Sequence, residues 1–216
     1  MSDKVWQDVD SYIEDRLVGE DEALSAALKD SAVAGLPAIA VSATQGKQLY
    51  LTALSIGARR ILEVGTLGGY SSIWMARALP ADGELISLEI DPKHAAVARA
   101  NIARARPAAK VDVITGKAID SMKTLKGPFD LAFIDADKES NADYFTEALR
   151  LSRKGSIIIV DNVVRGGAIT NPNGNSMVQG VRRLFDMLAK EKRVSTTAIQ
   201  TVGVKGYDGF LMAVVL

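Results

Sequence analysis

The sequence predicts a doubly wound α/β fold: a mostly parallel, seven-stranded sheet with helices on its faces and an antiparallel strand pair at the C-terminal end. Three observations predict it. Five short apolar runs between Ile61 and Val160 alternate with stretches of helical periodicity, the pattern of repeated parallel crossovers. The first run, Ile61-Leu62-Glu63-Val64, breaks into Gly65-Thr66-Leu67-Gly68-Gly69 and continues into the helically spaced Ser71–Leu79, a strand, a glycine turn and a helix in order. Two further strand-like runs, 194–202 and 210–216, are joined by Gly203–Gly209, a connection short enough for an antiparallel pair.

Bulk properties agree with one globular domain over residues 1–216. A chain of 216 residues, 48% hydrophobic and 24% charged, is long enough for a sizeable core. Lys plus Arg and Asp plus Glu number 26 each, so no overall field favours nucleic acid or an anionic membrane as partner. The absence of cysteine excludes disulfides, thiolate metal sites and thiol catalysis. No apolar run spans a bilayer, and Met1–Trp6 lack a basic segment followed by an apolar core, so a cytoplasmic protein is expected.

The elements follow in order. Residues 3 to about 34 are expected to be helical, with Val5, Val9, Ile13 and Leu17 on one stripe and a break at Gly19–Glu22. This piece, residues 1–35, precedes the first strand and is expected as an appendage that covers the ligand site, meets another subunit or packs on the core. A loop through Val41–Thr44 leads to a helix from Gln45 to about Gly57, then the first strand and its helix. Glu84–Ile90 is the second strand. Asp91-Pro92 starts the next helix, with Asp as cap and Pro in the first turn, and the helix runs to about Ala105. Val111–Ile114 is the third strand, followed by a short helix near Ile119–Leu125. Phe129–Ile134 is the fourth, followed by a helix from Asn141 to about Leu151 that Lys154-Gly155 closes. Ser156–Val160 is the fifth. A glycine- and asparagine-rich loop, 165–175, precedes a helix over 177–190.

Ligands of such sheets bind beyond the carboxyl ends of the strands, so the polar groups there carry the functional argument. Glu63 ends the first strand two residues before the first glycine. The glycine spacing is not G-x-G-x-x-G, and a carboxylate suits a cationic cofactor better than a pyrophosphate. Glu89 ends the second strand, 26 residues after Glu63, a place that commonly accepts hydrogen bonds from a ribose diol. The third ends at Gly116-Lys117-Ala118, small enough to admit a flat base. The fourth ends at Asp135-Ala136-Asp137-Lys138 and the fifth at Asp161-Asn162. If these two strands are neighbours, Asp135, Asp161 and Asn162 form one cluster of hard oxygen donors suited to a Mg²⁺-like ion. An Asp135–Lys138 ion pair is the plainer alternative for Asp135. The sole histidine, His94, falls in a helical first turn and is expected to be solvated, which argues against zinc.

Together, Glu63-Val-Gly65-Thr-Leu-Gly-Gly69-Tyr70-Ser71, Glu89, Asp135-Ala-Asp-Lys138 and Asp161-Asn162 resemble the cation-dependent class I O-methyltransferases, the caffeoyl-CoA and catechol group. The Asp-Ala-Asp-Lys form looks more like the caffeoyl-CoA and bacterial branch. The resemblance covers about residues 36–216. It implies a Rossmann-like methyltransferase fold and S-adenosylmethionine as cofactor. Val41, Glu63, Gly65, Thr66 and Ser71 would then border the methionine part, Glu89 the ribose, Ala118 the adenine through its backbone, and Asp137 would be a further contact. Asp135, Asp161 and Asn162 match metal ligands for Mg²⁺ or another divalent cation such as Mn²⁺ or Ca²⁺, and Lys138 matches a general base. The implied partner is a phenolic small molecule, and a homodimer is the implied assembly. Leu67 stands where relatives often carry tyrosine, and the loop Val163–Gly167 lacks a tryptophan or proline found in other branches. Arg165 in that loop would meet an acidic substituent or simply solvent.

Two other readings remain open from sequence. A nicotinamide-dependent dehydrogenase would use the same crossover but lacks its glycine spacing here. A non-catalytic cofactor-binding protein would share the fold, and the intact set Asp135, Lys138, Asp161 and Asn162 argues against it.

Overall fold

The computed structural model describes residues 3–19 and 21–216. Seven strands form one sheet in the order β3-β2-β1-β4-β5-β7-β6, where β1 is Arg60–Val64, β2 Glu84–Glu89, β3 Lys110–Thr115, β4 Phe129–Ile134, β5 Ser152–Asp161, β6 Val194–Gly203 and β7 Gly206–Val215. The first five run parallel; β7 is antiparallel to both β5 and β6. The expected doubly wound sheet is therefore present, with the last strand inserted between β5 and β6.

Eight α-helices accompany these strands among the described residues: α1 Asp3–Ile13, α2 Glu22–Val33, α3 Ala43–Ser55, α4 Tyr70–Ala76, α5 Pro92–Ala105, α6 Ala118–Thr124, α7 Asn141–Arg150 and α8 Ser176–Leu188. Central strands are covered on both faces, which is why they are almost continuously apolar. On β4, Leu131 and Phe133 face the layer of α3, α4 and α5, with Leu49 and Ile73. Ala132 and Ile134 face the layer of α6, α7 and α8, with Met122, Phe145 and Leu184. No described helix is long and apolar enough to cross a membrane.

Three of the boundaries that differ from expectation do so for a clear local reason. α3 starts at Ala43 rather than Gln45, because Ser42 Oγ accepts from the Gln45 amide at 3.2 Å and brings Ala43 and Thr44 into the first turn. Lys154-Gly155 does not close α7; it belongs to β5, which starts at Ser152. There Phe129 pairs with Ser152 but Leu131 with Ile157, so β5 bulges. Ser156 Oγ closes the bulge, accepting from the Arg153 amide at 3.0 Å and donating to the Phe129 carbonyl at 2.7 Å. Most of the expected Gly203–Gly209 loop is strand, since Gly203 and Gly206 already pair across a turn at Val204-Lys205.

The N-terminal helices divide in role. α2 is part of the body: Leu24 and Ala27 are buried, Asp21 caps the helix and pairs with Arg77 at 2.7 Å, and Asn101 of α5 donates to the Ala27 carbonyl. α1 is peripheral. Its Asp10 accepts from the Val204 amide at 2.7 Å, while Val5, Val9 and Leu17 of the expected stripe are exposed.

α8 fixes the segment after β4. A Cβ on Gly180 would lie 2.2 Å from the Lys138 carbonyl oxygen and 2.6 Å from Glu139 Cα, so the helix backbone touches this 3₁₀ turn, Lys138–Ser140, directly. Arg183 donates to the Glu139 carbonyl at 2.9 Å, and Ser176 to the Glu139 carboxylate at 2.6 Å. Gly180→Ala is expected to destabilise the fold by about 1–3 kcal/mol, because it overpacks a backbone contact that cannot rotate away. Urea denaturation checks this; an unchanged midpoint contradicts the contact.

Candidate active site

A cavity of about 900 Å³ opens at the carboxyl ends of the central strands, where the topology reverses between β1 and β4. A second, of about 440 Å³, adjoins it and shares Ile39, Asn162 and Arg165 with it.

The glycine loop forms one wall. Gly65 has φ +97°, and a Cβ there would sit 2.1 Å from the Asp135 carbonyl oxygen, so only glycine lets β1 leave the sheet so close to β4. The loop amides turn inward: Thr66 and Leu67 donate to Glu89 Oε2 at 3.1 and 2.8 Å, and Asp91 donates to Glu89 Oε1 at 2.9 Å. Glu89 is thus held by three amides on the cavity wall, with acceptor capacity left for a ligand. Behind the loop, buried Asn101 donates to the Gly68 carbonyl at 2.9 Å and links it to α2.

Of the residues expected to border a cofactor, Val41, Gly65, Thr66, Ser71, Glu89, Ala118 and Asp137 line the larger cavity. Glu63 does not line it; its carboxylate is fully buried behind Ser71. It accepts from Ser71 and Ser87, both at 2.5 Å, and from Ser72. Burial pushes its carboxyl up to about 7; the three hydroxyls oppose this, and the charge of Asp135 adds to it.

Across the cavity, Ile134 and Val160 are register partners, so Asp135 and Asp161 leave adjacent strand ends together. Lys138 Nζ donates to Asp135 Oδ1 at 2.7 Å, and its side chain is only 8% exposed, so the ion pair foreseen as the plainer alternative is present. Asp161 is nearly enclosed and borders the smaller cavity, while Asn162 borders both. Burial and then the charge of Asp135 push the Asp161 carboxyl up to about 6. Asn162 takes φ +56°, a conformation asparagine tolerates better than most residues, and its amide donates to Asp161 Oδ1 at 2.9 Å.

This donor set fits a hard divalent cation. Two carboxylates that repel one another and an amide oxygen supply three oxygen donors, leaving places for water or a ligand. Among the described residues no group of three or more His, Cys, Asp or Glu is arranged for a metal.

Several wall residues carried no sequence signal. Ser31 of α2 borders the larger cavity, and a Cβ on Gly68 would fall on its Oγ. Tyr144 donates to Asp137 Oδ1 at 2.6 Å, and burial together with that carboxylate raises its phenol. His94, expected to be solvated, lines neither cavity; it lies 3.7 Å from Glu89 Oε1 with its side chain 22% exposed.

Comparison with known proteins agrees with this geometry. Residues 15–213 match the O-methyltransferase family. A protein of Mycobacterium tuberculosis called catechol O-methyltransferase is 52% identical over 209 residues, covering 96% of this chain and 95% of its own. An O-methyltransferase from Bacillus cereus in complex with SAH superposes with a TM-score of 0.97 at 51% identity over all of both chains. TomG of Streptomyces achromogenes, an O-methyltransferase in complex with SAM, gives 0.96 at 50% identity, covering 100% of this chain and 99% of the other. The chain belongs to the O-methyltransferase family and is an S-adenosylmethionine-dependent O-methyltransferase, as the resemblance implied.

The raised carboxyl of Glu63 has a consequence for stability. Its folded value, about 7, lies above the unfolded one, so the folded state binds the extra proton between them. The resulting stabilisation is fully present below about pH 4.5 and is lost as pH rises through about 7. Its size is about 3 kcal/mol. Glu63→Gln, neutral at every pH, is expected to remove this slope and to be the more stable form at pH 8, measured by urea denaturation across pH 5–8 without ligand; parallel curves for the two proteins contradict it.

Proposed function

We propose that this chain methylates a hydroxyl of a catechol-like small molecule with S-adenosylmethionine as donor and a divalent cation as cofactor, Mg²⁺ first among Mg²⁺, Mn²⁺ and Ca²⁺. The observation that carries this reading is the cluster of Asp135, Asp161, Asn162 and Lys138 beside a cavity whose opposite wall is the Glu89-bound glycine loop.

Asp135, Asp161 and Asn162 are the residues that would hold the cation. When bound, it supplies positive charge that favours the deprotonated form of an adjacent acceptor hydroxyl. Lys138, buried at the end of β4, would take the hydroxyl proton at Nζ as general base only as the neutral amine, with its ion pair to Asp135 given up. Glu89 accepts from the ribose hydroxyls. Val41, Gly65, Thr66 and Ser71 border the methionine portion, with Glu63 fixing the Ser71 hydroxyl from behind. The Ala118 backbone meets the base, and Asp137, oriented by Tyr144, gives a further contact. The acceptor oxygen attacks the sulfonium methyl in line, so these residues act by positioning and electrostatics and form no covalent intermediate. The exposed stripe of α1 is a candidate contact between two copies of the chain.

A dehydrogenase reading finds no support in the glycine loop or the relatives. The test is methyl transfer from labelled S-adenosylmethionine to a panel of vicinal diphenols. Transfer is expected with Mg²⁺, loss of it with excess EDTA, and recovery on adding Mg²⁺ back. Lys138→Met is expected to lower kcat by about 10²- to 10⁴-fold while S-adenosylmethionine still binds. Transfer indifferent to EDTA removes the cation from the chemistry, and an unaltered kcat removes Lys138.

A further inference from the structure

We propose that His94 is a positioning residue of the cofactor site: its imidazole and the cofactor ribose share one oxygen of Glu89, so a charged His94 and a bound cofactor oppose each other. The inference rests on the reading that Glu89 accepts from the ribose, and extends it to a side chain that lines neither cavity.

The acceptor sites of Glu89 are the first argument. An ionised carboxylate offers about four of them, two on each oxygen. Oε2 is filled by the amides of Thr66 and Leu67, at 3.1 and 2.8 Å. Oε1 takes the Asp91 amide at 2.9 Å. The capacity left for a ligand is therefore chiefly on Oε1, and that is the oxygen His94 faces, with Nδ1 at 3.7 Å. The distance is too long for a hydrogen bond and short enough for an opposite charge to be felt. Both side chains are largely out of water, at 22% and 7% exposure, so salt screens the pair less than it screens a surface pair.

The start of α5 is the second. Asp91 Oδ1 accepts from the Lys93 and His94 amides at 2.7 and 3.3 Å, while the Asp91 amide itself donates to Glu89. The cap thus ties the first turn of the helix to the carboxylate and sets the imidazole beside it. A cation in the first turn of a helix is disfavoured by the macrodipole, so the charged form of His94 depends on the acids beside it. Among the described residues Glu89 is the acid within 4 Å of the ring. A ribose that takes the free site on Oε1 withdraws part of that support, and the imidazole gives up its proton to solvent.

The other charges around the ring are directed elsewhere. Lys93 Nζ lies near Gly35, and Arg99 donates to the Val113 carbonyl and the Thr115 hydroxyl of β3 at 2.6 and 2.8 Å. On the helices packed against α5, Asp30 of α2 pairs with Arg104, and Arg77 at the end of α4 with Asp21. Lys117, beyond β3, borders the larger cavity together with Glu89.

The test is calorimetric titration of S-adenosylhomocysteine into the wild-type protein, His94→Gln and His94→Lys between about pH 5.5 and 8, the range in which an imidazole changes charge. Relative to His94→Gln, wild-type affinity is expected to fall about 2- to 10-fold from the upper to the lower end, and His94→Lys to bind weakly at both ends. The carboxyls of Glu63 and Asp161, at about 7 and about 6, titrate in all three proteins, so the ratio between proteins isolates His94. Because His94 is the one histidine of the chain, its ring proton resonance reports its charge directly. The midpoint is expected to be lower in the complex by the same factor expressed in pH, since the two effects are reciprocal. Wild-type and His94→Gln curves that run parallel overturn the inference, as does a midpoint that the cofactor leaves unchanged or raises. An S-adenosylhomocysteine analogue lacking both ribose hydroxyls separates this inference from the reading beneath it. With the analogue the difference between wild type and His94→Gln is expected to vanish, and a difference that persists overturns the sharing of Oε1. If loss of the hydroxyls leaves wild-type affinity unaltered at the upper end, Glu89 does not hold the ribose, and the underlying reading fails and takes the inference with it.

Discussion

The carboxylate of Glu89 is the constraint on which the site depends. It stands at the end of β2 and takes amides from the glycine loop after β1 and from the cap of α5. Those amides belong to a loop with no helical or sheet partner of its own, and a buried amide without an acceptor is costly. By accepting them, Glu89 gives the loop one conformation and remains on the cavity wall with capacity for a ligand. Asn101 performs the matching task from behind, tying the Gly68 carbonyl to α2. Helix α2 therefore enters the binding region, where its Ser31 borders the larger cavity.

Four acidic groups around the sheet show how environment divides one chemistry into different tasks. Burial works against the charge of Asp130, but the amides of Arg59 and Arg60 and the Arg153 guanidinium outweigh it and hold its carboxyl below the usual range. That aspartate fastens the far ends of β1, β4 and β5. Glu63 has three hydroxyls and no cation, so burial prevails and its carboxyl rises. Asp161 also rises, first through burial and then through the negative charge of Asp135, while Asp135 itself is matched by Lys138. The two raised groups differ in place: Asp161 borders a ligand-sized cavity and Glu63 does not.

The placement of Lys138 is equally tertiary. The side chain is short of solvent and faces Asp135, and the turn that carries it is pressed by the Gly180 face of α8, from a different crossover. The loop after β5 is set in the same way, by Asp208 of β7 reaching the amides of Val164 and Arg165. The antiparallel addition to the sheet thus shapes the site through one carboxylate, and its β6–β7 turn borders the smaller cavity.

The sequence by itself determined the alternation of strands and helices, because strands buried on both faces must be continuously apolar and covering helices must be amphipathic. It also determined which residues stand at strand ends, since those follow directly from where each run stops. Glu89, Asp135, Lys138, Asp161 and Asn162 were legible for that reason, and so was Asp91 as the cap of α5. Only the tertiary structure decided which of these groups meet. β4 had to lie beside β5 for Asp135 and Asp161 to adjoin. The place of Glu63 depended on the Ser71, Ser72 and Ser87 hydroxyls converging from α4 and β2, which put its carboxylate behind the wall instead of on it. Asn101 and the backbone of Arg165 depended on contacts between elements distant in the chain, and no local pattern encodes such contacts. Periodicity reports how one element faces the core, while a site is made where several elements end together.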